Sequence, residues 1–151
     1  MSEKQMILAV DDNSISLATI EQELEGEYEV IPLNSGIRAL QFLKKEERKP
    51  DLILLDIQMA IKDGIETLKD IREMKACKDI PVIMLTSNAD KRMVLESSKF
   101  NIYDYVLKPF KKRELCERID AVLKKVSEKQ PAGAVVKETR SLLELEQEEK
   151  K

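Results

Sequence analysis

The stretch LILLDIQMAIKDG, residues 52–64, begins with four consecutive apolar residues and then changes abruptly to a carboxylate, Asp56. A short apolar run of this kind is typical of a strand buried on both faces, as in a parallel sheet covered by helices. A carboxylate buried alone is costly, so such a group is usually neutralised, paired, or placed at a strand end that faces solvent and ligand. The stretch therefore predicts a buried strand, and it raises the question of what Asp56 does at its end.

Four other short apolar runs alternate along the chain with stretches of helical periodicity. The runs are QMILAV (5–10), YEVIPL (28–33), PVIMLT (81–86) and YDYVL (103–107). Apolar stripes at helical spacing lie between them and after them, at Leu17, Ile20 and Leu24; at Ala39, Leu40 and Leu43; at Ile65, Leu68 and Ile71; and at Leu115, Ile119, Val122, Leu123 and Val126. The fourth helix, 91–98, has the least regular stripe. Five strand–helix units in succession predict an α/β fold, with a doubly wound five-stranded parallel sheet and helices on both faces. Its expected strand order is 2-1-3-4-5, the order that flavodoxin-like folds use.

The composition excludes several classes of function. The chain has 151 residues and a formal net charge of −3, with acidic and basic residues interspersed, which argues against direct binding of nucleic acid. The sequence has neither an apolar segment of the ~20 residues that a membrane span needs nor the layout of a signal peptide, so we expect a cytoplasmic protein without a membrane partner. It contains no histidine, which excludes Ser-His and Cys-His catalysis on this chain. Cys77 and Cys116 have no metal-ligand spacing and are expected to be reduced structural thiols.

Polar residues follow four of the predicted strands. They are Asp11 and Asp12 after the first strand, Asp56 at the end of the third, Thr86 and Ser87 at the end of the fourth, and Lys108 after the fifth. Each has an ordinary explanation by itself, such as a helix cap, a turn or a solvated side chain. Because parallel strands of such a sheet end at one edge, where ligands bind, we expect these side chains to form a single pocket.

The chemistry of this pocket follows from its charges. Clustered carboxylates repel one another unless a cation lies among them. Mg²⁺ favours hard oxygen ligands and is commonly held by one or two carboxylates together with phosphate oxygens. With Asp11 and Asp12 facing it, Asp56 would keep one oxygen free to attack phosphorus and form an acyl phosphate. Lys108, as a point charge, and Thr86, as a hydroxyl donor, would then compensate the charge of the arriving phosphoryl group.

Four motifs resemble, in order and spacing, those of the response-regulator receiver domains of two-component signalling. The motifs are VDDN (10–13), LILLDIQM (52–59), MLTS (84–87) and DYVLKPF (104–110). The resemblance covers residues 4–127. Residues 128–151 begin with a Pro/Ala/Gly break and then carry many charges, which predicts a linker and a short charged C-terminal segment, with a helix as one interpretation.

The resemblance implies a role for each residue of the pocket. Asp56 resembles the phospho-accepting aspartate, and Asp11 and Asp12 resemble the acidic pair that binds Mg²⁺, for which Mn²⁺ is a second candidate. The backbone carbonyl of Gln58 would be a further metal ligand. Ser87 and Lys108 would contact the phosphoryl group, and the Lys108–Pro109 bond would be cis.

Thr86 and Tyr105 resemble the switch pair of the family. In the family's mechanism their rearrangement alters the surface of the fourth helix, fifth strand and fifth helix, which regulates an output partner. The alternative for Tyr105 is a plain core aromatic with its hydroxyl at the surface. The implied partners are a sensor histidine kinase or phosphotransfer protein as donor, and an output protein or output domain. A phosphorylation-dependent homodimer is a further interpretation.

Some positions depart from the family's usual pattern. Ala60 stands where receivers often carry proline, and Lys62 where an apolar residue is common, so we expect a looser loop above Asp56. Phe100 and Asn101 replace a frequent Gly-Ala pair, which leaves the geometry of the fourth helix open.

Three other functions are found on related architectures. A phosphorylation-independent adaptor with the receiver fold usually lacks an acidic or lysine position, and here all are present. A flavodoxin-like FMN binder should carry a Ser/Thr/Gly phosphate loop where this chain has VDDN. An aspartate-dependent phosphohydrolase places a second acid two residues after its nucleophile, where this chain has Gln58. The receiver is therefore the preferred interpretation, as a signalling switch that catalyses only its own phosphorylation and dephosphorylation, and the adaptor is the alternative.

Overall fold

The computed structural model describes residues 4–87 and 91–128, which form five strand–helix units in succession. The strands are β1 (Met6–Val10), β2 (Glu29–Leu33), β3 (Leu52–Asp56), β4 (Val82–Thr86) and β5 (Asp104–Leu107). The helices are α1 (Ser14–Leu24), α2 (Gly36–Lys45), α3 (Gly64–Glu73), α4 (Lys91–Ser97) and α5 (Glu114–Ser127), and a 3₁₀ turn at Ser98–Phe100 follows α4.

All strand pairs in the sheet are parallel, and the strand order is β2-β1-β3-β4-β5. This order confirms the doubly wound fold predicted from the alternating pattern. Strands β1 and β3 are neighbours, with Val10 opposite Leu55, and β4 continues the register with Leu85 opposite Asp56. The carboxyl ends of β1, β3 and β4 are therefore adjacent, at the place where the chain changes direction across the sheet.

The central strands are buried on both faces because helices cover each side of the sheet. In β1, Leu8 and Val10 belong to the core cluster that α2, α3 and α4 cover, whereas Ile7 and Ala9 belong to the cluster under α1 and α5. This alternation explains why β1, β3 and β4 read as continuous apolar runs. Strand β2 is an edge strand, where Pro32 is tolerated because its missing N–H can face solvent.

Helix caps fix where the helices leave the carboxyl edge of the sheet. The Asn13 side chain, two residues after Asp11, accepts hydrogen bonds from Ile15 N and Ser16 N and so caps the start of α1. Asp63 and Glu66 form a reciprocal capping box at the start of α3. The loops between β1 and α1 and between β3 and α3 are therefore anchored next to the predicted site.

The fourth helix is shorter than its predicted range of 91–98. It ends at Ser97, continues as one 3₁₀ turn, and stops at Asn101, whose φ of 57° lies in the left-handed region. Asparagine tolerates this region better than most residues, because its short side chain can bond locally. Phe100 and Asn101, which replace the family's frequent Gly-Ala pair, are therefore accommodated by a 3₁₀ turn and one left-handed residue after α4.

The C-terminal part of the domain prediction is not tested, because residues 129–151 lie outside the described residues. Helix α5 ends at Ser127, the last residue of the predicted domain. In the described part of the chain, every helix falls short of the length and apolar composition needed to cross a bilayer.

Candidate functional site

Three aspartates lie together at the carboxyl edge of the sheet. Asp11 directly follows β1, Asp56 is the last residue of β3, and one carboxylate oxygen from each of Asp11, Asp12 and Asp56 lies within 4.8 Å of the others. Asp11 and Asp56 are buried, whereas Asp12 is exposed. Two buried acids and one exposed acid therefore form a site that is open on one side.

Lys108 supplies positive charge to this group from the end of β5. Its Nζ lies 2.5 Å from Asp11 Oδ2 and 3.5 Å from Asp56 Oδ2. Its backbone N–H donates to the carbonyl of Thr86 at 2.8 Å, which fixes the chain beside β4. The Lys108–Pro109 bond is cis, as the resemblance implied.

The Asp56 carboxyl group is short of counter-charge in this arrangement. Burial is the largest cause that raises its pKa to about 7, and the negative charge of Asp11 raises it further. The ammonium of Lys108 lowers the pKa but does not offset these effects, and the Gln58 N–H donates only a long hydrogen bond of 3.4 Å. The site therefore has the excess of negative charge and the hard oxygen donors that suit a divalent cation such as Mg²⁺.

Thr86 and Ser87 lie at the end of β4, beside Asp56. Thr86 is buried, whereas Ser87 is exposed and donates its hydroxyl hydrogen bond to Gln58 Oε1 at 2.9 Å. This bond links the loops that follow β3 and β4. Ser87 and Gln58 were both predicted to lie at the site, but the contact between them was not predicted.

Tyr105 points into the core, towards α4. Its hydroxyl group lies 2.5 Å from the carbonyl of Val94 and 3.2 Å from Ser97 Oγ. Tyr105 is 5% exposed and its hydroxyl contacts are buried, so the alternative that places the hydroxyl at the surface is wrong. Tyr105 therefore links β5 to α4 through its hydroxyl group.

Ala60 and Gly64 also contribute to the site, although neither was predicted to be a site residue. The backbone N–H of Ala60 donates to Asp12 Oδ2 at 2.9 Å. Gly64 packs so closely on β3 that a Cβ there would lie 2.7 Å from Ile57 Cα and even closer to the Asp56 carbonyl oxygen. A glycine at the first position of a helix was a readable signal for close packing, whereas a backbone N–H leaves no signal in a sequence.

The loop between β3 and α3 is anchored at two points. One is the Asp12–Ala60 hydrogen bond, and the other is an ion pair of 2.5 Å between Lys62 Nζ and Asp70 Oδ2. Ala60 and Lys62, the two residues from which a looser loop was predicted, each make one of these anchoring contacts, and the looseness of the loop stays a prediction.

An open groove of about 440 Å³ adjoins the site, between α1 and the loop that follows β5. Ile15 and Thr19 line one side, and Ser87, Lys108 and Phe110 line the other. Ile15 is 76% exposed, which leaves an apolar side chain next to the acidic pocket.

Comparison with known proteins agrees with the site and the fold. The family model described as "Response regulator receiver domain" matches residues 7–120. The alkaline phosphatase synthesis transcriptional regulatory protein PhoP of Bacillus subtilis (strain 168) is 36% identical over 120 residues, covering 79% of this chain and 48% of that protein. The transcriptional regulatory protein ResD of the same organism is 37% identical over 123 residues, covering 81% and 49%. The chain thus spans about half the length of these curated relatives.

Among solved structures, the receiver domain of sensor histidine kinase PA1611 from Pseudomonas aeruginosa PAO1 superimposes with a TM-score of 0.73 at 29% identity, covering 81% of this chain and 99% of that one. That structure has a magnesium ion coordinated in its active-site cleft. With the family model matching most of the chain, and the sheet order and acidic pocket in agreement, this chain belongs to the response regulator receiver domain family of two-component systems.

Proposed function

We propose that Asp56 accepts a phosphoryl group from a phosphohistidine on a sensor kinase or phosphotransfer protein. The observation that carries the proposal is the placement of the Asp56 carboxylate at the open end of β3, beside Asp11 and within 3.5 Å of the Lys108 ammonium. In the transfer, an Asp56 oxygen forms a new P–O bond while the donor's P–N bond breaks, and its electron pair stays on the imidazole nitrogen. The 151 residues contain no histidine, so the donor lies outside this sequence.

The reaction is proposed to require Mg²⁺, with Mn²⁺ as a second candidate. The carboxylates of Asp11, Asp12 and Asp56 would hold the ion, together with the backbone carbonyl of Gln58. The fit is supported by three carboxylates whose oxygens converge and by the raised pKa of Asp56, which the ammonium of Lys108 does not offset. When bound, Mg²⁺ would offset the charge of the carboxylates and of the phosphoryl oxygens.

Three side chains would receive the phosphoryl group on its other sides. Lys108 is already held between two aspartates, so its ammonium is in place before the negative charge arrives. Thr86 offers a hydroxyl at the end of β4. Ser87 is small and exposed, so it leaves Asp56 accessible and adds a second hydroxyl.

The signal is proposed to leave through the surface formed by α4, β5 and α5. Tyr105 joins two of these elements, because it is buried on β5 and its hydroxyl group contacts the α4 residues Val94 and Ser97. A shift of Thr86 towards the phosphoryl group would change the space available to Tyr105 and hence the position of α4. The output would be a partner protein, a homodimer or an output unit beyond these residues; the last agrees with relatives of twice the length that are named transcriptional regulators.

The test is intact mass after incubation with acetyl phosphate, with and without MgCl₂. We expect a Mg²⁺-dependent gain of one phosphoryl group that Asp56→Asn abolishes. Asp79→Asn, at an exposed aspartate outside the pocket, is the matched control and should be phosphorylated like the unmodified chain. No mass gain under any condition would contradict the proposal and favour the alternative, an adaptor that binds its partner independently of phosphorylation.

A further inference from the structure

The Ala60–Asp12 hydrogen bond connects the loop after β3 with the residue that follows Asp11. The Ala60 N–H donates to Asp12 Oδ2 at 2.9 Å. Asp12 is exposed, and an exposed aspartate otherwise samples several rotamers. The bond selects the one in which an Asp12 oxygen lies within 4.8 Å of oxygens of Asp11 and Asp56.

The backbone directly after the Ala60 N–H forms a tight turn. Lys62 N donates to the Ala60 carbonyl at 2.8 Å, which closes a three-residue turn around Ile61. Ile61 has a φ of 68°, in the left-handed region that β-branched residues rarely adopt, and its side chain is 95% exposed. Such a conformation persists only where the surroundings impose it, and here the Asp12–Ala60 bond and the Lys62–Asp70 ion pair hold the turn on its two sides.

We propose that the backbone N–H of Ala60 is a positioning group for the divalent cation, because it holds the exposed Asp12 carboxylate in the acidic cluster before the ion arrives. This inference rests on the proposed function, in which Mg²⁺ binds at that cluster. A carboxylate has two oxygens and several lone pairs, so accepting one N–H at Oδ2 leaves capacity for a metal ion. The Asp12 carboxylate is then preorganised for the ion, because its side chain has already lost its rotational freedom on folding.

The coupling acts in both directions. If the Ala60 N–H strengthens Mg²⁺ binding by some factor, Mg²⁺ strengthens the Ala60–Asp12 bond by the same factor. Occupation of the site should therefore stabilise the turn and fix Ile61, the exposed apolar residue at its tip. The conformational freedom of the loop beside Asp56 should therefore depend on whether the metal is bound.

The experiment is a titration of ¹⁵N-labelled protein with MgCl₂, followed by amide shifts in NMR spectra. Ala60→Pro removes the N–H donor, and Ala60→Ser is the matched control that keeps it. We expect Ala60→Pro to weaken Mg²⁺ binding about three- to tenfold, which is the range for one solvent-accessible hydrogen bond to a carboxylate. Ala60→Ser should stay within about twofold of the unmodified chain.

The outcomes are separable. Equal or tighter Mg²⁺ binding by Ala60→Pro, with unmodified protein that binds Mg²⁺, overturns the positioning role alone. Unmodified protein whose spectrum does not respond to MgCl₂ overturns the proposed function as well. If Ala60→Pro does not fold, hydrogen exchange of the Ala60 amide in unmodified protein decides: exchange slowed severalfold by saturating MgCl₂ supports the inference, and unchanged or faster exchange overturns it.

Discussion

Lys108 lies closer to Asp11 than to Asp56, with its Nζ 2.5 Å from Asp11 Oδ2 and 3.5 Å from Asp56 Oδ2. The ammonium thus pairs most closely with Asp11 and also faces the proposed phospho-acceptor. Its side chain is only 15% exposed, so water screens these interactions weakly. Lys108 should consequently contribute to the stability of the fold as well as to phosphoryl transfer.

We expect Lys108→Met to affect both properties. Methionine keeps the length of the side chain but leaves two buried carboxylates without their counter-charge, which should cost about 3–5 kcal/mol in the free energy of unfolding near neutral pH. The rate of phosphorylation by acetyl phosphate should fall at least about tenfold, because the charge of the phosphoryl group loses its ammonium partner. Urea unfolding and timed mass spectra give the two quantities. Lys111→Met, at an exposed lysine of the same loop, should leave both unchanged.

The raised pKa of Asp56 predicts a pH dependence of stability in metal-free protein. An aspartate in an unfolded chain titrates near pH 3.8, whereas the Asp56 pKa in the fold is about 7. Between these values the folded chain holds a proton that the unfolded chain has released. Asp56 therefore makes the free energy of unfolding fall as the pH rises from about 4 to about 7.

This dependence is measured by comparison with Asp56→Asn, in which the titrating group is absent. Urea unfolding in the presence of a chelator, at about pH 5 and about pH 7.5, should show unmodified protein losing about 1–3 kcal/mol more than the variant. Titrating groups remote from Asp56 cancel in the difference. Equal losses for the two chains would mean that Asp56 is not deprived of counter-charge.

Much of this arrangement follows from local sequence. The apolar runs that precede Asp11 and Asp56 form buried strands because both faces of the sheet are covered. The parallel topology then brings Asp11, Asp56 and Lys108 to one edge of the sheet. These residues could be predicted because each side chain differs chemically from the apolar strand before it. The roles of Thr86, Tyr105 and the other site residues as a switch and as ligands stay predictions.

The contacts that could not be predicted depend on the backbone or on loops brought together by the fold. Every residue except proline carries an N–H, so nothing in the letter Ala60 indicates a bond to Asp12. The bond between Ser87 and Gln58 joins two loops whose conformations are set by their neighbours. The inward orientation of Tyr105 depends on where α4 lies, and the stripe of that helix was the least regular.

Gly64→Ala should displace the backbone at the phospho-acceptor. A Cβ at Gly64 would meet the Asp56 carbonyl and lie 2.7 Å from Ile57 Cα, and backbone atoms cannot rotate away as a side chain does. We expect a loss of about 3 kcal/mol or more in the free energy of unfolding and a strong decrease in phosphorylation. Gly26→Ala is the matched control, because a Cβ added there would have no heavy atom within 4 Å apart from those of Gly26 and its two chain neighbours. Its cost is limited to the left-handed φ of 84°, about 1–2 kcal/mol, and phosphorylation should be unaffected.

Arg72 should matter for stability without affecting the chemistry of the site. Its guanidinium donates to five backbone carbonyls, of which Phe100 O at 2.7 Å and Ile80 O at 2.8 Å are the nearest. These carbonyls belong to the segments before β4 and β5, at the edge of the sheet opposite the aspartates. Burial lowers the pKa of Arg72, which is the cost of placing the cation there.

We expect Arg72→Lys to lose about 2–4 kcal/mol in the free energy of unfolding, because an ammonium with three donors cannot reach carbonyls in two separate segments. Arg38→Lys, at an exposed arginine of α2, should change it by less than about 0.5 kcal/mol. In the folded fraction of Arg72→Lys, acetyl phosphate should still phosphorylate Asp56 at the unmodified rate. A slower phosphorylation of Asp56 in fully folded Arg72→Lys would contradict this prediction. It would show that the contacts of Arg72 at one edge of the sheet affect the reaction at the other edge.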